Sequence, residues 1–193
     1  MALFKESSLR SRAAVGTPVF ESASTMLAKK VTASANVQQF DIFLSHSFDD
    51  KDIVYGIWLS LEDMGYKVYV DWIQDRNLSR NKVTKETAEV LRYRMRNSKS
   101  LFFATSSSSS ASMWMPWELG FKDGHNQKAA ILPITQTDTQ NYIGQEYLGI
   151  YPYITEDLAA GEDKRKRLWT RRSSTCYVLF DSWLNGIEPT ERL

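Results

Sequence analysis

A tryptophan and a glutamate stand four residues apart in residues 113–122, a stretch whose pattern predicts a helix with Pro116 in its first turn. Trp114 and Glu118 then lie one helical turn apart on the same face. Glu118 falls early in the helix, where the helix dipole favours the ionised carboxylate and so a charge stabiliser rather than a proton donor. Trp114 offers an indole ring that suits stacking on a planar ligand about as well as it suits the core.

Short apolar runs and helical periodicities alternate from residue 38 onward and define the elements that must position these two side chains. Strands are predicted near residues 40–45, 67–71, 100–105, 129–134 and 153–154. Helices are predicted near residues 50–64, 83–96, 113–122 and 162–185, the first of them capped by Asp49 or Asp50. In the last helix the basic run 164–167, with Arg171 and Arg172, would form a solvated face, and Cys176 would be a buried structural thiol.

The alternation of strands and helices predicts an α/β fold, a doubly wound parallel sheet of about five strands with helices on both faces. In such a sheet ligands bind beyond the carboxyl ends of the strands, near the switch in strand order. Three predicted strand ends carry polar residues: Ser45, His46 and Ser47 after the first, Asp71 and Trp72 after the second, and the serine-rich residues 106–112 after the third. Functional residues are expected there.

The composition of the chain suggests three parts. Residues 1–37 are rich in serine, alanine and threonine and predict a partly ordered N-terminal arm with a short helix near residues 21–32. Residues 38–187 form the domain, and residues 188–193 form a C-terminal tail. We expect the arm to pack on the domain or on a neighbouring subunit.

Charge and hydropathy exclude several classes of function. A formal net charge of +1 argues against a protein built to bind nucleic acid or an anionic membrane. No apolar run approaches the ~18–20 residues that cross a bilayer, and the first residues lack the apolar core of a secretory signal, so a cytoplasmic chain is expected. His46 and His125 belong to no ligand-spaced cluster, so no metal site is expected.

Three motifs, in order along the chain, resemble those of TIR (Toll/interleukin-1 receptor-like) domains. FDIFLSHSFDD at residues 40–50 resembles the opening strand and first loop, and MGYKVYVD at residues 64–71 resembles the second strand, which ends in Asp before the BB loop. SMWMPWEL at residues 112–119 resembles the Ser-x-Trp-x-x-x-Glu-Leu signature of the third helix. The resemblance spans about residues 38–185 and implies the flavodoxin-like TIR fold. Departures are Met115, where the family often has Cys, and Arg80 and Asn81, where the BB loop usually carries Gly.

The resemblance implies an enzyme of bacterial type that cleaves the nicotinamide–ribose bond of NAD with Glu118 as the catalytic carboxylate. The nicotinamide is a cationic leaving group, so no general acid is required, and a carboxylate near the ribose stabilises oxocarbenium character. No cofactor is implied, because NAD is the substrate. Six residues receive implied substrate-binding roles: Trp114 stacks on nicotinamide or adenine, Ser112, Ser45 and Ser47 contact ribose or phosphate, and Asp71 and Trp72 form the opposite wall.

Several of these residues also have a purely structural interpretation, which the sequence leaves open. Ser112 suits an N-cap, Asp71 suits a turn, and Trp114 suits the core. His46 is expected to hydrogen-bond within its loop rather than to act as a base. Trp117 is expected in the core.

The products and partners also have more than one interpretation. Attack by water gives ADP-ribose, and attack by a hydroxyl of the same molecule gives a cyclic ADP-ribose isomer. The resemblance implies a signal generator in anti-phage defence, with self-association through TIR–TIR contacts and a downstream effector that senses the product. Two alternatives remain: a non-catalytic TIR adaptor, against which Glu118 together with Trp114 counts, and a nucleoside deoxyribosyltransferase-like enzyme, which also uses a Glu on an N-glycosidic bond.

Overall fold

The computed structural model describes residues 2–16, 39–47, 49–70, 84–106, 109, 112–137, 142, 146–158 and 165–192. Within this part of the chain nine strands form one sheet. They are β1 (Phe4–Lys5), β2 (Phe40–Ser45), β3 (Val68–Tyr69), β4 (Ser98–Thr105), β5 (Ala129–Thr135), β6 (Tyr153–Leu158), β7 (Lys166–Arg171), β8 (Cys176–Leu179) and β9 (Thr190–Glu191). The α-helices of the same residues are α1 (Glu6–Gly16), α2 (Lys51–Asp63), α3 (Lys85–Arg96), α4 (Trp114–Asn126) and α5 (Phe180–Leu184).

The central part of the sheet is parallel, with the strand order β3-β2-β4-β5-β6. This is the order of flavodoxin-like sheets, so the predicted fold class is confirmed. Ser45 at the end of β2 pairs with Phe103 of β4, which brings the carboxyl ends of these two strands together. Strand β1 pairs with the end of β5, and Ala2 bridges Glu156 of β6, so the first strand lies between the ends of β5 and β6.

Two apolar layers cover the two faces of the sheet. On one face α1, α2 and α5 bury side chains such as Leu9, Ile57 and Trp183. On the other face α3 and α4 bury side chains such as Met95 and Met115. The helices that follow β2 and β4 therefore lie on opposite faces of the sheet.

Helix α1 packs on α2 through a glycine in the interior of α2. A Cβ atom on Gly56 would lie 2.1 Å from the carbonyl oxygen of Leu9, so only a hydrogen atom permits this approach. The hydroxyl of Tyr55 donates to the carbonyl of Gly16 at 3.0 Å and fastens the end of α1. The sequence did not predict α1, and the helix that it predicted near residues 21–32 lies outside the described residues.

The predicted helix over residues 162–185 is wrong in its larger part. The sheet continues antiparallel as β6-β7-β8-β9, and of the described residues 165–185 only Phe180–Leu184 are helical. Leu168 and Thr170 are buried and Trp169 between them is half-buried, which is a period of two instead of 3.6. Cys176 is half-buried in β8 and is not part of a helical core.

The basic residues that were predicted on a solvated helix face lie in different environments. Arg171 is buried in β7, where its Nε donates to Oγ1 of Thr155 at 2.9 Å and its guanidinium lies 4.3 Å from the ring centroid of Tyr177. Burial lowers the pKa of Arg171 below its usual value. Arg172 is exposed, and its nearest approach to Glu188 is 3.8 Å. The solvated interpretation is thus right for Arg172 and wrong for Arg171.

Candidate functional site

The strand order of the sheet reverses between β2 and β4. From β2 the chain crosses to α2 on one face and returns as β3 outside β2. From β4 it crosses to α4 on the other face and returns as β5. The connections that leave β2 and β4 therefore diverge, so a crevice is expected at the carboxyl ends of the two strands, where doubly wound sheets bind ligands.

Glu118 lies in the second turn of α4, and its side chain extends to the carboxyl ends of β2 and β4, where it is fully buried. Met115 and Leu119 on the same helix belong to the apolar layer and fix which face of α4 turns inward. Oε2 of Glu118 accepts a hydrogen bond from Oγ of Ser45 at 2.5 Å. Hydroxyl–carboxylate hydrogen bonds of this length are among the strong ones in proteins, so the end of β2 orients the carboxylate.

The end of β2 and the loop after it contribute buried polar residues to the same carboxyl ends of the strands. Ser45 was predicted to contact substrate, and the structure directs its hydroxyl to Glu118. Ser47 is 5% exposed, and its carbonyl accepts a hydrogen bond from the backbone N–H of Asp50 at 3.3 Å. Nδ1 of His46 donates to the carbonyl of Leu44 at 2.8 Å, so the local hydrogen bond expected of His46 is formed, with the end of β2 as its partner.

A second hydroxyl–carboxylate pair joins the loops that leave β2 and β4. Ser106, the residue after β4, donates its hydroxyl hydrogen to Oδ2 of Asp50, the residue before α2. Asp50 is 6% exposed, and its side chain makes no capping hydrogen bond to α2. Asp50 therefore stands at the N-cap position that was predicted for Asp49 or Asp50, but its carboxylate contacts Ser106 after β4 instead of the first turn of α2.

The start of α4 holds two of the predicted substrate-binding residues. Oγ of Ser112 accepts a hydrogen bond from the backbone N–H of Met115 at 3.4 Å, the capping contact that the sequence had left as its alternative role. Trp114 is 8% exposed, and its ring packs edge-on against Trp117 with centroids 5.4 Å apart. Their contacts with substrate stay predictions. Asp71 and Trp72, predicted for the opposite wall, lie outside the described residues.

The outer face of α4 carries aromatic rings beneath arginines of α3. The guanidinium of Arg92 lies 5.4 Å from the ring centroid of Trp117, and that of Arg96 lies 5.6 Å from the ring centroid of Phe121. Trp117 is half-buried and packs against the apolar layer on this face, so it lies at the border of the core in which it was predicted. These cation–π contacts attach α3 to the helix that carries Glu118.

Lys122 is a buried cation that the sequence did not single out. It lies one turn beyond Glu118 on α4 and is fully buried. Its Nζ donates to the carbonyl of Met95 at 2.8 Å and to the carbonyl of Ser98. Desolvation lowers the pKa of Lys122 to about 8. A lysine four residues after a glutamate, on the face of α4 that turns inward, was the available signal.

A cavity of about 560 Å³ lies on the opposite face of the sheet, between α1, α2, α5 and the start of β7. Much of its charged lining is paired across the cavity: Arg12 with Asp63 at 2.8 Å, and Lys166 with Glu156 at 2.7 Å. Neither Glu118 nor its hydrogen-bond partner lines it. The candidate site is therefore the crevice at the strand ends and not this cavity.

The described residues contain neither a cluster of metal ligands nor a membrane-spanning helix. Among them, no group of three or more His, Cys, Asp or Glu side chains is arranged to hold a metal ion. Over the same ranges, no helix has the length and apolar character needed to cross a membrane.

Known proteins give two informative matches. Over 146 residues the chain is 50% identical to "Probable 3' cyclic ADP-D-ribose synthase ThsB'" of Bacillus cereus (strain MSX-D12), and this match covers 75% of each chain. Over 92 residues it is 33% identical to "Putative cyclic ADP-D-ribose synthase TIR2" of Cytobacillus dafuensis, which covers 46% of this chain and 24% of that relative. No protein-family model matches the chain. The first match is extensive enough to place this chain and that relative in one family.

Proposed function

We propose that this chain, which belongs to the bacterial TIR (Toll/interleukin-1 receptor-like) domain family, cleaves the nicotinamide–ribose bond of NAD and closes the product into a cyclic ADP-ribose. One observation supports this most directly: Glu118 is buried at the switch point of the sheet, with Ser45 donating to its Oε2 at 2.5 Å. Both relatives are named as cyclic ADP-D-ribose synthases, which supports NAD as the substrate.

The chemistry of NAD suits a single oriented carboxylate. Nicotinamide leaves from a cationic substrate as a neutral molecule, so the bond breaks without a general acid. Positive charge then develops on the ribose, and a carboxylate held in place beside it stabilises that charge. In a buried site this stabilisation is stronger than in water, because the effective dielectric constant is lower.

The full burial of Glu118 implies a movement during the reaction. A ribose that contacts the carboxylate must first displace whatever covers it, so NAD binding includes a local rearrangement at the strand ends. In our proposal Ser47 and Ser112 contact ribose or phosphate and Trp114 stacks on a ring of NAD. Asp71 and Trp72 form the opposite wall. NAD enters as substrate, and no further cofactor takes part.

The cyclic product is the part of the proposal that the first relative favours. That relative is named for a 3′ cyclic ADP-D-ribose, so the 3′ isomer is the first product to seek here. We further propose that the product acts as a signal in anti-phage defence and is sensed by a separate effector in the cytoplasm. Self-association through TIR–TIR contacts would assemble the active form.

Product identification tests this function. The purified full chain is incubated at high concentration with NAD, nicotinamide is quantified by chromatography, and the nucleotide product is identified by mass spectrometry. We expect nicotinamide together with a product lighter than ADP-ribose by one water molecule. Absence of nicotinamide, with and without a crowding agent, would contradict the proposal and favour the non-catalytic adaptor. Turnover of deoxynucleosides instead of NAD would favour the deoxyribosyltransferase-like enzyme.

A further inference from the structure

Asp50 is a buried carboxylate at the site to which the proposed bond cleavage assigns no role. An aspartate that precedes a helix usually has extended backbone angles and accepts hydrogen bonds from the first turn. Asp50 has φ −96° and ψ 32°, and its side chain makes no such bond to α2. It accepts a hydrogen bond from Ser106 instead, and it is 6% exposed. Capping therefore does not explain why a carboxylate is buried here.

The two carboxylates approach the crevice from opposite faces of the sheet. Glu118 comes from α4 and is held by Ser45, the last residue of β2. Asp50 comes from the start of α2 and is held by Ser106, the residue after β4. Strands β2 and β4 are neighbours, and Ser45 is in register with Phe103, three residues before Ser106. A ligand at these strand ends therefore has one carboxylate on each side.

Cyclisation needs a group that hydrolysis does not. When the ribose C1–nitrogen bond breaks, nicotinamide departs with the bonding electron pair and the ribose carbon becomes electron-poor. In cyclisation a hydroxyl oxygen of the adenosine ribose donates a lone pair to that carbon and must lose its proton. Attacking water can pass its proton to solvent, whereas a hydroxyl enclosed in the crevice needs a base on the protein.

We propose that Asp50 is this base, an inference that rests on the proposed function. Its carboxylate accepts the proton of the attacking ribose hydroxyl while Glu118 stabilises the electron-poor ribose. The new C–O bond replaces the broken C–N bond, and the products are nicotinamide, cyclic ADP-ribose and one proton. The proton passes from Asp50 to solvent when the product leaves. Ser106 is a positioning residue, because it orients the carboxylate through Oδ2.

The test is the ratio of cyclic ADP-ribose to ADP-ribose formed from NAD by the wild-type chain and by Asp50→Asn. The ratio does not depend on the fraction of folded enzyme, so partial loss of folding does not affect it. Ser106→Ala is a second variant that keeps the carboxylate and removes its orientation. Asp52→Asn is the matched control, because Asp52 lies in the first turn of the same helix, is 62% exposed and is 3.7 Å from Arg10.

We expect Asp50→Asn to release nicotinamide while the ratio falls by roughly a hundredfold or more, the usual range of general-base contributions. Ser106→Ala should lower the ratio by less, and Asp52→Asn should leave it unchanged. An unchanged ratio in Asp50→Asn, or an equal loss of both products, would overturn the role of Asp50 and leave the proposed function standing. A wild-type chain that makes only ADP-ribose would overturn this role together with the cyclisation in the proposed function, while the cleavage of NAD would stand. A wild-type chain that releases no nicotinamide would overturn the proposed function together with this role.

Discussion

The hydroxyl of Ser45 donates a hydrogen bond to Oε2 of Glu118 at 2.5 Å, across 73 residues of sequence. It joins the end of β2 to α4, two elements that are not consecutive in the chain. The direction of the carboxylate therefore depends on the sheet as well as on the helix. Loss of this hydroxyl should leave Glu118 in place but poorly oriented.

Ser45→Ala is expected to lower kcat for nicotinamide release by roughly tenfold to a hundredfold, since a hydrogen bond to a charged group contributes about 1.5–3 kcal/mol. The KM for NAD should change less, because the lost contact acts on the reacting carboxylate. Steady-state kinetics with NAD separates the two parameters. Ser60→Ala is the control, because that hydroxyl donates only to the Gly56 carbonyl at 2.8 Å within α2. A raised KM with unchanged kcat would assign Ser45 to substrate binding instead.

Hydrophobic periodicity predicted the central elements of the fold well. The strands near β2, β4 and β5 and the helices near α2, α3 and α4 lie within a few residues of their predicted bounds, because each buries a clear apolar stripe or run. Helix α1 was missed because its buried side chains are few, namely Leu9 and Ala13. Its position depends on a close approach to Gly56, which no local pattern reveals.

Gly56→Ala should destabilise the fold by about 1–3 kcal/mol, the usual cost of overpacking, since the new methyl group would meet the Leu9 carbonyl at 2.1 Å. Urea denaturation followed by circular dichroism measures this loss. Gly124→Ala is the matched control: it lies in α4 with nothing within 4 Å of the added Cβ. There the helix propensity of alanine should stabilise by about 0.5–1 kcal/mol. Equal effects of the two substitutions would contradict the packing of α1 on α2.

The hairpin of β7 and β8 was not predicted by hydrophobic periodicity, which indicated a helix there. Leu168, Phe180 and Trp183 are buried, and their spacing fits one long helix as well as the two strands and short helix that the structure has. The turn over residues 172–175 lacks glycine and proline, the strongest turn signals, and carries only the weaker signal of two serines and a threonine.

Arg171→Ala should destabilise the protein by about 2–3 kcal/mol, because it removes a buried charged hydrogen bond to Thr155 and a contact with the Tyr177 ring. Thermal and urea denaturation measure the change. Arg172→Ala, one residue along and exposed, should alter stability by no more than about 0.5 kcal/mol. A similar loss of stability in both variants would contradict the buried position of Arg171 in β7 and would favour the solvated helix that the sequence predicted.

The position of the candidate site was predicted in part, while the roles of its residues stay predictions. The sequence motif singled out Glu118, and the predicted topology placed Ser45 at the same carboxyl ends of the strands, where the structure has both. The hydrogen bond between them, and the turn of Asp50 toward Ser106, depend on how α2 and α4 sit on the sheet. Such contacts join residues far apart in sequence, so local patterns do not contain them.

Lys122 predicts a pH dependence of stability. Its pKa is about 8 in the folded protein and 10.5 in the free side chain. Between these values the unfolded chain holds a proton that the folded chain has lost, so Lys122 contributes a rise in the free energy of unfolding with pH across this range. Buried tyrosines such as Tyr66, whose pKa is raised, contribute in the opposite direction. Between about pH 8 and about pH 10, urea denaturation should therefore show a change in the free energy of unfolding that is more positive in the wild-type chain than in Lys122→Met. Lys85→Met, at an exposed lysine of α3, should behave as the wild type. Equal slopes in all three would contradict a buried, desolvated Lys122.

The most direct measurement is the initial rate of nicotinamide release from NAD by Glu118→Gln, compared with the wild-type chain and with Glu89→Gln. Glu89 is an exposed glutamate of α3, so its amide variant controls for the loss of one negative charge. If Glu118 stabilises the developing charge on the ribose, its amide variant should lose roughly a hundredfold or more in rate while remaining folded, and Glu89→Gln should retain the wild-type rate. A Glu118→Gln rate within a few-fold of the wild type would contradict the assignment of Glu118 as the central carboxylate.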